Sequence, residues 1–135
     1  MKPLPAATRQ RLEKAARRAA RASYSPYSKF PVGAAILTDR GLYTGCNVEN
    51  ASYGLCNCAE RTAIFAAVAD GARSIRAVAV YTPTKSATSP CGACRQVINE
   101  FGPDALVIGI CDGAERIETT LDQLLPAAFG PKNLL

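Results

Sequence analysis

The sequence predicts an α/β fold, a three-layer α/β/α sandwich built on a mixed five-stranded sheet. Two observations carry that prediction. Apolar stretches of strand length alternate with stretches of helical period, in the order helix, strand, strand, helix, strand, helix, strand, strand. The last two strands are joined by too few residues for a parallel crossover, so they pair antiparallel and the sheet is mixed. With 135 residues, 48% of them apolar, the chain is long enough for one domain, residues 1–135, with a buried core. No apolar run approaches the roughly 20 residues of a membrane span.

The first helix is predicted from about Thr8 to Ala22. Leu12, Ala15, Ala16 and Ala19 follow the i, i+3, i+4, i+7 template, while Arg11, Lys14, Arg18 and Arg21 line the other side. Much of the net charge of +5 lies here. A basic, acid-poor helix is compatible with a transit peptide or a nucleic-acid footprint. The clear apolar stripe favours a helix packed on the domain with a solvated outer face. Pro26 and several hydroxyls make Ser23 to Ser28 a loop. A hairpin follows: Val32 to Leu37, a turn at Asp39-Arg40-Gly41, and Leu42 to Asn47. Val48 to Asn57 is polar and irregular.

The second helix is predicted from Cys58 to Asp70-Gly71, with Gly71 suited to a left-handed cap. Its inner face of Ala59, Ala63, Ala66 and Ala67 lets it approach a sheet closely. Ala77 to Tyr81 reads as a buried strand. The third helix runs from about Cys91 to Phe101, stopped by Gly102-Pro103. Cys94, Val97, Ile98 and Phe101 form its buried stripe. Leu106 to Cys111 and Arg116 to Thr120 are the last strands, and Thr120 with Gln123 suggests a capping box on a final short helix.

The chemistry lies in two cysteine segments, Cys58-Ala59-Glu60 and Pro90-Cys91-Gly92-Ala93-Cys94. Each stands at a strand-to-helix junction, where sites form in open α/β sheets. Helix N-termini lower thiol pKa values, and three thiolates suit Zn²⁺. Structural zinc normally has four ligands, so a three-cysteine set, Cys58, Cys91 and Cys94, leaves a position for water. Glu60 follows in the first helical turn, placed to move a proton. Arg61 is placed to donate to the sulfurs and offset their charge. There is no histidine, which excludes a Ser-His-Asp triad, a Cys-His pair and any histidine-ligated metal. The six cysteines show C-x-C and C-x-x-C spacing with no apolar signal segment, so metal and reduced thiols are expected over disulfides. Cys46 and Cys111 read as buried thiols. Cys56 leaves a second reading open: a Cys₄ structural zinc in a module whose basic helix contacts RNA.

These motifs, with Tyr24-Ser25-Pro26-Tyr27-Ser28, Phe30-Pro31-Val32-Gly33-Ala34-Ala35, the run Gly45 to Tyr53, and Cys94-Arg95-Gln96, give a sequence that resembles the short, homotetrameric, zinc-dependent cytidine deaminases over almost its whole length. The pattern of the zinc deaminases is itself a cysteine or histidine two residues before a glutamate, then P-C-x-x-C. The resemblance implies a cytidine-deaminase-like fold and hydrolytic conversion of cytidine, and of 2′-deoxycytidine, to the uracil nucleoside and ammonia. It implies one Zn²⁺ per subunit, with Glu60 carrying a proton from water to ring N3. Asn47 and Glu49 would meet the ribose 3′-hydroxyl, Phe30 the base edge, and the Ser89 carbonyl the leaving ammonia. Val48 and Ala59 would complete the substrate contacts. Ala51, Tyr53 and Phe129 would do so across subunit interfaces of a homotetramer. A cytoplasmic enzyme of pyrimidine salvage is implied, acting on a free nucleoside, with neither nucleic acid nor membrane as partner. A deaminase for a nucleoside analogue of the blasticidin type is the alternative within the enzyme class.

Overall fold

The computed structural model describes residues 3–135. Its elements are α1 (Ala6–Ala19), β1 (Gly33–Thr38), β2 (Gly41–Cys46), α2 (Ala59–Ala69), β3 (Ile75–Tyr81), α3 (Gly92–Phe101), β4 (Leu106–Ile110), β5 (Ile117–Thr120) and α4 (Leu121–Leu124). The strands form one sheet in the order β2-β1-β3-β4-β5. β1 is antiparallel to both β2 and β3, β4 is parallel to β3, and β5 returns antiparallel to β4. The mixed five-stranded sheet of the sequence reading is therefore present. A consequence of this order is that β2, β3 and β4 run the same way. The connections leaving β2 and β3 start at the same edge of the sheet and lead into α2 and α3.

Strand alternation sorts the core into two layers. Ala35, Ala77, Ala79 and Ile108 pack with Leu12 and Ala16 of α1. Ile36, Val78, Val80 and Val107 pack on the opposite side with Ala63, Ile64 and Ala67 of α2 and Ile98 of α3. The small residues facing α1 let that helix lie close. At Gly33 a Cβ would stand 1.9 Å from the Ala16 carbonyl oxygen, so only glycine allows the contact. Gly45 does the same under α2, where a Cβ would come within 2.4 Å of the Ala63 nitrogen.

The basic first helix is a packed element. Leu12 and Ala16 are fully buried. Arg9 pairs with Glu118, Arg116 forms a two-point pair with Glu13 at 2.8 Å, and Arg17 lies 5.0 Å from the Tyr81 ring centre. These contacts tie one flank of α1 to β5 and to the end of β3.

Several boundaries differ from the sequence reading for local reasons. The last turn of the first helix tightens to a 3₁₀ turn at Ala20–Ala22. Cys58 and Cys91 are extended N-cap residues rather than the first residues of their helices. The capping box is not formed: Thr120 ends β5 in extended backbone and makes no cap bond, and it is Thr119 whose hydroxyl donates to Gln123 at 2.6 Å. Gly71 takes the left-handed conformation with φ of 103°. Cys111 is buried as expected, whereas Cys46 is only half-buried.

Candidate active site

The site begins with the parallel run of β2 and β3. It brings the N-termini of α2 and α3 together, and with them Cys58 and Cys91 as their N-caps. Cys94 lies one turn into α3 and is fully buried. The three sulfurs lie within 4.8 Å of one another, and Cys58 Sγ is 3.8 Å from Cys91 Sγ. Two thiolates bound to one tetrahedral zinc at about 2.3 Å stand about 3.8 Å apart. The donor set is soft, correctly spaced, and fits Zn²⁺.

Electrostatics favour charge at this point. Contact with Cys94 and with Arg61 Nη2, which donates to the Cys58 sulfur at 3.3 Å, lowers the Cys58 pKa to about 5 despite burial. Contact with Cys58, together with burial, raises the pKa of Cys94. The same sulfur contact raises the pKa of the Arg61 guanidinium. Arg61 Nε is buried with no protein partner, and among the described residues no carboxylate forms an ion pair with this cation. Among the described residues, the sulfur group has no fourth member. Cys56 is turned to Asn50, whose backbone nitrogen donates to its Sγ at 3.3 Å. The Cys₄ reading fails on that placement.

Glu60 stands beside the sulfurs at the floor of a cavity and is only 4% exposed. Burial raises its carboxyl pKa, and the Cys58 charge adds to the effect. The cavity has a volume of about 550 Å³. Cys58, Ala59, Glu60, Ser89 and Cys91 line one part of it; Phe30, Asn47 and Glu49 line another. Both polar residues of that second wall are already engaged. Asn47 Oδ1 accepts from the Val32 amide at 2.9 Å and its Nδ2 donates to the Phe30 carbonyl at 2.8 Å. Glu49 accepts from the amides of Tyr27 and Ser28 at 3.0 and 3.1 Å, and from the Ser28 hydroxyl. The Ser28 hydroxyl bond leads in lowering the Glu49 pKa, so Glu49 is an anion. One Asn47 N–H and further carboxylate lone pairs remain for a ligand.

The remaining sequence-predicted residues stand apart from this cavity. Val48 pairs in bridges with Tyr24 and Asn57 and is exposed. Ala51 is exposed, Tyr53 is 73% exposed with its ring edge-on to Tyr27, and Phe129 is 58% exposed. Sequence reasoning gave no site role to Ser28, Val32, Val80, Thr82 and Thr88, which also line the cavity. For Thr82 the signal was present: it is the first polar residue after an apolar strand at the site edge.

Fold and site together point to a zinc-dependent α/β enzyme, with three clustered cysteines that could hold the metal and a buried carboxylate beside them. The family model described as the cytidine and deoxycytidylate deaminase zinc-binding region matches residues 6–110, and this chain belongs to that family. It is 53% identical over 114 residues to the cytidine deaminase of Sporosarcina psychrophila, covering 83% of this chain and 84% of that one. It is 47% identical over 129 residues to that of Halalkalibacterium halodurans, covering 93% and 97%. The crystal structure of cytidine deaminase from Burkholderia pseudomallei superposes with a TM-score of 0.85 at 49% identity, covering 89% of this chain and 98% of that one.

Proposed function

We infer that this chain hydrolyses cytidine to uridine and ammonia, with zinc held by Cys58, Cys91 and Cys94. The observation that carries the reading is the juxtaposition of the three sulfurs with buried Glu60 on the wall of a cavity of about 550 Å³. That volume lies within the usual range for small-molecule sites. When bound, zinc supplies Lewis-acid activation of the attacking water near neutral pH.

The chain's own residues do the rest. Glu60, its affinity for a proton raised by burial, takes one from the water and gives it to the pyrimidine ring nitrogen. It then helps protonate the departing amine, so that water and cytidine leave as uridine and ammonia. Arg61 offsets the thiolate charge. Asn47 and Glu49 hold the sugar, and Phe30 borders the base. The Ser89 carbonyl receives the leaving ammonia. 2′-Deoxycytidine is a second substrate.

The whole chain works as one catalytic unit, and the active form is a homotetramer. The support is a set of exposed groups: Ala51, Tyr53 and Phe129 lie outside the cavity lining of their own chain, and a neighbouring subunit would use them to complete its site. Among the described residues no helix is long and apolar enough to cross a membrane. The enzyme is read as a cytoplasmic salvage enzyme for free nucleosides. Relatives described as cytidine deaminases favour cytidine over a blasticidin-type analogue.

A paired assay of wild type and Glu60→Gln tests the reading. Absorbance loss follows cytidine conversion, and bound zinc is measured in both proteins. The expected result is equal zinc content and a loss of about 10²–10⁴-fold in kcat for the variant. Two zinc-loaded proteins, neither acting on cytidine or deoxycytidine, would overturn it.

A further inference from the structure

The segment Thr88-Ser89-Pro90, whose first two residues line the cavity, is held in an unusual way. Among the described residues, none of these three takes part in a backbone-to-backbone hydrogen bond. Pro90 has no amide hydrogen to offer. Apart from a long 3.5 Å contact between the Thr82 and Thr88 hydroxyls, hydrogen bonds to this segment come from a single side chain, Arg95. Its Nε donates to the Pro90 carbonyl at 2.8 Å and its Nη2 to the Ser89 hydroxyl at 2.8 Å. Its Nη1 donates to the Leu124 carbonyl at 2.9 Å, an otherwise open carbonyl in the short α4. All three guanidinium nitrogens are used, each on a different residue.

The segment so held leads directly into the metal ligand Cys91, and Ser89 lines the cavity. Arg95 itself does not line it. Its planar fork grips two consecutive residues at once, which a lysine ammonium does not reproduce.

We propose that Arg95 is a positioning residue for the reaction: it fixes the Ser89-Pro90 wall and the approach to Cys91 against α3 and α4. The proposal rests on the deaminase reading above. Its effect falls on the reacting end of the cavity. The opposite wall is held by its own bonds, from Asn47 and Glu49 to residues 27–32. Loss of Arg95 therefore loosens the reacting end and leaves the sugar end in place.

The test uses zinc-loaded wild type, Arg95→Lys and Arg95→Ala. It reads kcat and KM for cytidine, the rate of zinc transfer to a chromophoric chelator, and rescue by millimolar guanidinium chloride. Misplacement of a reacting group by about 1 Å costs on the order of 10²-fold. We expect kcat to fall by that order with KM within about threefold, taken as less than 1 kcal/mol of ground-state binding. Zinc transfer becomes faster in both variants, and guanidinium restores part of kcat in Arg95→Ala but not in Arg95→Lys. Should Arg95→Ala fail to fold, the kcat and zinc-transfer rate of Arg95→Lys decide alone. Unchanged kcat and zinc transfer in folded Arg95→Lys overturn the proposal. So does a general loss of thermal stability with normal kcat per folded chain. A wild type inactive on cytidine would instead overturn the deaminase reading, while faster zinc transfer from the Arg95 variants would still show the clamp on Cys91.

Discussion

The floor of the cavity and an exposed rim beyond its lining residues are built in opposite ways. At the floor, Cys94 is fully buried, Glu60 is 4% exposed, and both belong to helices packed on the sheet. At the rim, Tyr24, Tyr27, Tyr53 and Leu55 all stand in solvent on irregular segments. The floor is finished within one chain, and its reactivity is set by burial and by two helix N-termini. The rim displays large apolar side chains with little to cover them, which is what a surface prepared for another chain presents. The reactive groups and this exposed apolar surface thus occupy separate layers of the chain.

The strongest way to break the floor is at its buried ligand. Cys94→Ala should bind no stoichiometric zinc and show no measurable deamination. Its melting temperature should match that of wild type stripped by a chelator, because metal binding energy is also folding energy. Zinc analysis beside calorimetry checks this; a variant that keeps both zinc and activity would show that Cys94 is core filling only.

The rim should respond differently. Tyr53→Ala removes an exposed ring with one aromatic neighbour, 5.9 Å away. An aromatic contact is worth about 0.5–1.5 kcal/mol, so kcat/KM should fall by up to about tenfold. Zinc content should stay unchanged, and sedimentation should show smaller species at low concentration. A drop in zinc content would mean that floor and rim are not separate.

The smallest expected effect lies outside both layers and serves as a control. The Arg116 hydrogen bond leads in holding the Glu13 pKa below its ordinary value. A depressed carboxylate stabilises the fold above its unfolded pKa, and that contribution disappears as pH falls through the folded value. Glu13→Gln should lose about 0.5 kcal/mol at neutral pH, the scale of a partly exposed pair, with kcat unchanged. Variant and wild type should converge in urea melts at acid pH. A loss that persists in acid would place the effect in packing instead.

The floor was legible in the sequence because it depends on short-range signals. Two cysteine segments, each at the start of an apolar-striped helix, specify both the donors and their location. The antiparallel return of β5 was legible from loop length alone. What could not be read was long-range hydrogen bonding. Nothing near Thr119 distinguishes it from Thr120 as the partner of Gln123 until strand and helix are joined. The same limit hid Thr88, whose place in the cavity follows from how the loop before α3 returns beside the end of β3. Val48 illustrates a signal present but not fully used. The alternation that puts Asn47 and Glu49 on the cavity side turns the residue between them away.

The double engagement of Asn47 and Glu49 has a consequence for motion. The same two side chains that face the cavity also pin the amides of Tyr27, Ser28 and Val32. Any transient detachment of residues 27–32 from the hairpin therefore also disturbs the cavity wall that Asn47 and Glu49 form. Local opening and loss of the pocket become a single event, and a ligand seated there would quiet the breathing of a loop whose Ser28 and Phe30 share the lining.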